Sequence, residues 1–239
     1  IGLELLLARM KSRAVTAPRF IFVSAIVPNI EEINAWLGGT DQTVIRSTYR
    51  PAIAEFAILQ PQRDGAKMSV NLAMHPHEAR ERRVTLEGFL NGESFTYTSA
   101  LTRRRKTYKF TSVKTQAVAA ARKALPMGAT AIFSATKRGN QGAEGLAREL
   151  VAQLSHNLPL PAPSDYAREA LVTPCLAYLE AEYGAEWIGT QAVRHGAVLH
   201  HGDIPQESRE VLEALIRDNG VQLVICTSTL AEGVNLPIR

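Results

Sequence analysis

The sequence predicts an α/β domain in which a parallel sheet is covered by helices on both faces and interrupted by a β-hairpin insertion. Three observations carry that expectation. Short apolar, β-branched runs alternate with amphipathic helices over much of the chain. The runs are apolar at consecutive positions, as strands buried on both faces are. Each run also ends in a polar, turn-forming cluster: SAIVPN (24–29), SATKRG (134–139), HHGDIP (200–205) and TSTLAEGVN (227–235). In open α/β sheets, ligands bind beyond the carboxyl ends of the strands, so one sheet edge is expected to carry a shared site. Hydroxyls, glycine-turn N–H groups and helix N-termini there suit phosphate oxygens.

In chain order, PRFIFVSAIV (18–27) reads as a strand that feeds a helix. Asn29 is its N-cap, Glu32 the capping partner, Ile33, Trp36 and Leu37 one face, and Gly38 the stop. From about 43 to 110 the pattern changes to short strands, AEFAILQ (54–60), KMSVNLAMH (67–75), VTLEGFL (84–90) and SFTYTSAL (94–101). Asn91-Gly92 between the last two predicts a hairpin, because both residues tolerate positive φ. Helical periodicity returns over 112–125, followed by a strand at 129–136. A helix at 141–154 has Ala143, Leu146, Ala147, Leu150, Val151 and Leu154 on one face. Pro159, Pro161 and Pro163 make 155–164 a loop. A helical stretch from Asp165 to about Glu182, broken near Pro174, leads through Trp187 to a strand at 196–201. A helix at 205–219, stopped by Gly220, and a strand at 221–226 complete the pattern.

Composition narrows the class. At 239 residues and 46% hydrophobic content the chain can bury a sizeable core. Its apolar runs fall short of the roughly 18 residues a membrane span needs, and IGLELLLARMKSR lacks the order of a signal peptide. Cys175 and Cys226 lie on apolar elements and read as reduced core residues of a cytoplasmic protein. A chain that opens on Ile is expected to be an excised piece. Over 80–109, eight cations (Arg80, Arg82, Arg83, Arg103, Arg104, Arg105, Lys106, Lys109) meet three carboxylates, a net +5 against +4 for the whole chain. Arg103, Arg104, Arg105 and Lys106 are thus a candidate basic patch for a phosphate-rich partner. A solvated hairpin that binds nothing is the plainer alternative.

TSTLAEGVNLP (227–237) resembles motif V of the superfamily-two helicases of the DExH (DEAD/DEAH-box) group. VSAIVPNIEEINAWLGG (23–39) resembles their motif III, STYRPA (47–52) the passage between their two RecA-like domains, and AIFSATKR (131–138) occupies the place of motif IV. The HHG stretch at 200–202 and the helix and strand after it follow in family order. The resemblance covers 18–52 and 129–239; 61–110 has no counterpart. It implies that 1–50 ends a first RecA-like domain and that 51–239 forms most of a second, with a β-rich insertion at about 61–110. Ser24 and Ala25 would then couple the nucleotide site to movement, Thr227 would contact a nucleic-acid phosphate, and Gly233 and Asn235 would approach the nucleotide. Lys137, Arg138, His201 and Gly202 are the further candidates for backbone contacts. Ile26 stands where motif III carries a threonine, and the loop after 133 is longer than usual.

The implied function is an ATP-dependent helicase or translocase, with ATP and Mg²⁺ as cofactors of the full-length parent and single-stranded nucleic acid, RNA or DNA, as partner. A missing first RecA-like domain and C-terminal regions would complete it. No G-x-x-x-x-G-K-[ST] loop, acidic box or arginine-finger motif is present, so the piece alone is expected to be inactive, supplying part of the nucleic-acid track and one wall of the ATP cleft. A non-enzymatic RecA-like binding module and a duplex-tracking motor are the alternatives. Thr227, Ser228 and Thr229 read locally as a helix cap; Phe95, Tyr97 and Tyr108 read as packed on a sheet face or as base-stacking rings. His195, His200, His201 and Asp203, or His75 and His77, lack the spacing that completes a metal site, and Ser24 has no G-x-S-x-G elbow.

Overall fold

A computed structural model of the chain describes residues 2–13, 19–23, 29–46, 55–64, 67–75, 82–91, 95–99 and 101–231, which fall into two units, Ile1–Ala54 and Glu55–Arg239.

The first unit holds helix α1 (Gly2–Arg13), helix α2 (Ile30–Leu37) and, between them, residues 19–23, which have no regular secondary structure where the sequence predicts a strand. Asn29 is the N-cap of α2 but makes no side-chain bond to the helix backbone; its amide instead donates to Glu32 Oε2 at 3.4 Å. Gly38, at φ 89°, ends the helix, with its N–H on Ala35 O and the Gly39 N–H on Asn34 O, a left-handed stop that glycine adopts without strain. Phe20, Phe22, Ile33, Trp36 and Leu5 line an apolar groove of about 690 Å³. Ser24, Ala25 and Ile26 lie outside the described residues.

The second unit opens with an antiparallel sheet of β1 (Ala57–Asp64), β2 (Lys67–Met74) and β3 (Val84–Asn91), in that order. Pro61 sits in β1, an edge strand, where a missing donor is tolerated. Among the described residues the two strands expected to pair across Asn91-Gly92 do not pair with each other: β3 pairs with β2, and β4 (Thr96–Thr98) pairs with β5 (Arg105–Thr107). The cause is tertiary. Leu90 at the end of β3 and Phe95 before β4 both enter one cluster with Val70, Phe110, Leu158 and Ala119, so the chain changes sheets there instead of folding back.

Ala119 belongs to α3 (Val113–Ala124), started by a capping box in which Ser112 and Thr115 satisfy each other's backbone N–H groups. Beyond it lies a parallel sheet of β6 (Thr130–Phe133), β7 (Ala197–His200) and β8 (Leu223–Cys226), with β8 in the middle. Leu223, Ile225, Ala197 and Leu199 face α3 and α4 (Ala143–Ser155), while Val224, Cys226 and Val198 face α5 (Glu169–Tyr183) and α7 (Gln206–Arg217). The alternation is the period of two that a strand imposes, and apolar residues at every position cover both faces with helices.

Two details depart from the pattern read along the chain. α5 runs unbroken through Pro174, whose ring costs one bond to the preceding turn. A further helix, α6 (Ile188–Arg194), precedes β7, with Ile188, Ala192 and Val193 buried between the two core clusters. The proline-rich loop is held by Arg122 of α3, 1% exposed, whose Nε and Nη2 donate to Pro161 O at 3.0 Å and Leu160 O at 2.8 Å. Cys175 and Cys226 are both free and buried, and burial pushes each thiol up to about 11. Among the described residues no helix is long and apolar enough to cross a membrane.

Candidate functional site

The three parallel strands end level with one another. Phe133 and His200 both pair with Cys226, so the loops after them leave from one edge. Backbone bonds bind those exits together: Ser134 N–H donates to Cys226 O at 2.9 Å and Thr227 N–H to His200 O at 3.2 Å. Lys137, Arg138, His201, Gly202 and Thr227, which come from three different loops, are thereby brought into one cluster.

The loop after β6 folds back on the first turn of α4. Ser134 Oγ lies 2.9 Å from Thr136 O and 3.0 Å from Gln141 O, and Ala143 and Glu144 give their N–H groups to Thr136 O and Lys137 O. The leading donors of α4 are therefore spent on the loop and are not offered to an anion. Glycine is required at Gly142, where a Cβ would stand 2.3 Å from Arg138 O. The loop aims Lys137 and Arg138 at Asp203: Lys137 Nζ lies 2.5 Å from Oδ1 and Arg138 Nη2 3.4 Å from Oδ2. That hydrogen bond with Lys137, aided by the two positive charges, holds the Asp203 carboxyl below its usual range.

Gly202 sits between these groups: a Cβ there would come 3.3 Å from Thr229 Oγ1 and 3.7 Å from Lys137 Nζ. Thr227, 4% exposed, has its Oγ1 3.3 Å from Thr229 Oγ1, and its carbonyl accepts the Leu230 N–H at 3.1 Å. It thus immediately precedes α8 (Ser228–Ala231), and the local reading of this run as a helix start and its position at the sheet edge coexist. Gly233 and Asn235 lie outside the described residues.

His200 and His201 diverge. His200 Nε2 meets Glu213 Oε1 at 2.8 Å on the α7 side. His201 Nδ1 accepts the Asp203 N–H at 3.3 Å, which leaves the ring proton of the neutral form on Nε2, 4.0 Å from Glu144 Oε1. Burial lowers the pKa of both rings, against the opposing pull of Glu213 on His200 and of Glu144 and Asp203 on His201. Because the folded state keeps them neutral, the unfolded chain takes up protons first as pH drops through about 6.5. Stability is therefore full above that pH and declines below it. We expect the urea midpoint at about pH 5.5 to lie below that at about pH 7.5, and His200→Gln to flatten the difference; an unchanged pH slope in the variant would remove His200 from this account.

Phe95, Tyr97 and Tyr108 are packed. Phe95 and Phe110 meet edge to face at 5.1 Å, Tyr97 stacks on His156 at 4.1 Å, and Tyr108 hydrogen-bonds Glu149. Arg103, Arg104, Arg105 and Lys106 are exposed on the β4–β5 ribbon, away from the sheet edge. Among the described residues no three His, Cys, Asp or Glu side chains are grouped to hold a metal. Asp203 as counter-ion to both cations, and Glu144 beside His201, are the site residues that sequence patterns missed; Asp203 lies 66 residues from Lys137, beyond any local signal.

The three-stranded parallel sheet, its two helical layers and the antiparallel insertion are those of a RecA-like fold. No family model matches the chain, but its relatives connect it with the helicases of superfamily two. It is 25% identical over 221 residues to the Hachiman protein HamB of Bacillus cereus, covering 92% of this chain and 19% of that protein. It is 25% identical over 234 residues to the ATP-dependent DNA helicase MER3 homolog of rice (Oryza sativa subsp. japonica), covering 97% and 16%. Against the ATP-dependent DNA helicase Hel308 of Methanocella arvoryzae it is 29% identical over 112 residues, covering 47% and 14%. The chain thus spans less than a fifth of the length of these relatives.

Proposed function

We propose that this chain is part of an ATP-dependent helicase or translocase, most of its second RecA-like domain preceded by the end of the first, and that its sheet edge grips a nucleic-acid backbone. One observation carries the reading: Lys137 and Arg138, His201 and Gly202, and Thr227 leave three separate strands and meet at one carboxyl edge. Cations, a hydroxyl and a glycine that lets them approach one another closely are groups that hold phosphate oxygens. The first unit fits the same reading, since Ile21 and Val23 are 79% and 87% exposed and are apolar β-branched side chains that a neighbouring parallel sheet would cover.

The residues that would cradle the β and γ phosphates and hold Mg²⁺ are not in this sequence. Its contribution is to bind and orient the strand, with ATP and Mg²⁺ belonging to the complete motor. In the longer parent, nucleic acid should stimulate ATP turnover, and Thr227→Ala should weaken both that stimulation and single-strand binding without unfolding the domain. Unchanged binding across a salt titration would count against the assignment.

Asp203 sharpens the test. It neutralises one of the two cations beside it, so Asp203→Asn should tighten binding to a single-stranded oligonucleotide and steepen its salt dependence by about 0.7 per additional phosphate neutralised. If Asp203→Asn instead weakens binding with the fold intact, the carboxylate positions Lys137 for the strand and does not compete with it.

A further inference from the structure

We propose that the β4–β5 ribbon is a second nucleic-acid contact, a sequence-independent grip on the phosphates of a duplex, separate from the sheet edge that binds the single strand. Four observations support it.

The first is location. α4 begins at the sheet's carboxyl edge and its 13 residues run about 18 Å away from it. The ribbon lies along the far half of that helix: Tyr108 contacts Glu149, and Tyr97, nearer the tip, contacts His156 just past the helix end. The tip, which carries Arg103 and Arg104, therefore lies farther from Lys137 and Thr227 than the ribbon's base does.

The second is charge without counter-charge. Arg103, Arg104, Lys106 and Lys109 are exposed, and among the described residues none has a carboxylate partner. The guanidinium of Arg105 is turned onto Thr96 Oγ1, with Nε at 3.0 Å and Nη2 at 2.9 Å. At the sheet edge, by contrast, Asp203 already answers Lys137 and Arg138. Between ribbon and α4 is a cleft of about 260 Å³ whose lining includes Tyr97, Arg105, Ser155, His156 and Asn157 and holds no acidic residue.

The third is rigidity. A two-stranded ribbon on its own is marginally stable, yet this one is fixed by the Tyr97–His156 stack and by Phe95, 7% exposed, against Phe110. Its cations are held by a seated scaffold, and Arg103 takes the left-handed conformation at φ 53° in the turn, where Ser99 and Arg104 close the loop.

The fourth concerns the kind of nucleic acid. The ribbon's rings pack on one another and on His156 and are half-buried or buried, whereas its cations are exposed; single-strand binders instead present exposed rings on which bases stack. What remains is phosphate recognition. Duplex offers one charge per about 1.7 Å of axis, twice the density of one strand, which suits cations crowded within a few residues of one turn.

The test uses fluorescence anisotropy with the 239-residue chain, a labelled duplex of arbitrary sequence and a single strand of the same length, each titrated at several salt concentrations. Replacing Arg103, Arg104 and Lys106 together by Gln should lower the duplex salt slope by about 2.7, at about 0.9 for each phosphate left without its cation, and weaken duplex binding roughly tenfold or more at low salt. The Arg103→Lys, Arg104→Lys pair should retain the slope, and Arg104→Glu alone should reproduce much of the weakening if the triple variant does not fold. Unchanged duplex affinity and slope in the folded triple variant would overturn the proposal, as would an equal weakening on the single strand. Retained duplex binding together with abolished binding of polyglutamate would overturn it in favour of an acidic protein partner. Thr227→Ala in the same assay separates the two sites: weaker single-strand binding with duplex binding intact belongs to the sheet edge, and failure of that effect leaves the ribbon result standing.

Discussion

Arg122→Ala should lower the stability of the second unit by about 3 to 5 kcal/mol, the range for breaking a buried charged network and leaving a cavity. The guanidinium is 1% exposed and bonds the carbonyls of Leu160 and Pro161; with it gone, two carbonyls of a half-buried loop lose their donors. It has no carboxylate partner among the described residues, and burial pushes its pKa down to about 10, so some of the cost of removing it is returned as relief from desolvation. Arg122→Met, which fills most of the volume and supplies no donor, should recover about half of the loss and so divide packing from hydrogen bonding. Urea titrations at constant m-value would measure both. An alanine variant within about 1 kcal/mol of the parent would mean that water replaces the guanidinium and that the loop does not depend on it.

Gly142→Ala should cost about 2 to 3 kcal/mol, as overpacking does in a site that cannot relax, and should also weaken nucleic-acid binding. Its backbone, at φ −76° and ψ 171°, suits any residue; the obstacle is the Arg138 carbonyl, 2.3 Å from the added Cβ. To make room, the loop must leave α4, breaking the bonds from Ala143 to Thr136 O and from Glu144 to Lys137 O and carrying Lys137 away from Asp203. Gly139→Ala is the matched control. Nothing lies within 4 Å of its Cβ position, and only its φ of 91° opposes a side chain, so it should cost about 1 kcal/mol. Equal effects of the two substitutions would show that backbone conformation, not the close approach, controls the loop.

The elements legible in the sequence were those whose evidence is local. α3, α4 and α7 announce themselves by periodicity and by residues at their ends, and β6, β7 and β8 by apolar runs between them. α6 does not: IGTQAVR has a glycine, a threonine and a valine in seven residues, weak formers that adopt a helix because Ile188, Ala192 and Val193 are buried. Gly189 is needed there, since a Cβ would meet the Trp187 ring at 2.3 Å. Asn91-Gly92 gives a strong local turn signal that tertiary packing overrides, because Leu90 and Phe95 both belong to the cluster around Phe110. Within the site, the rule that loops gather at the carboxyl edge was enough to bring Lys137, Arg138, His201, Gly202 and Thr227 together. The ion pairs among them depend on side-chain direction, which spacing does not encode, so Asp203 as the shared counter-ion emerged only from the folded chain.

If the chain grips nucleic acid as proposed, α4 has a mechanical consequence. Its first turn is tied to the loop bearing Lys137, and the residue after its last turn is clasped by Tyr97. A pull on the ribbon is therefore met as a load along a single 13-residue rod, whose hydrogen bonds lie nearly parallel to that load and share it turn by turn. The weakest joints in this line are at its ends, the ring stack at His156 and the surface ion pair at Asp203, so under force the ends would slip before the rod between them stretched.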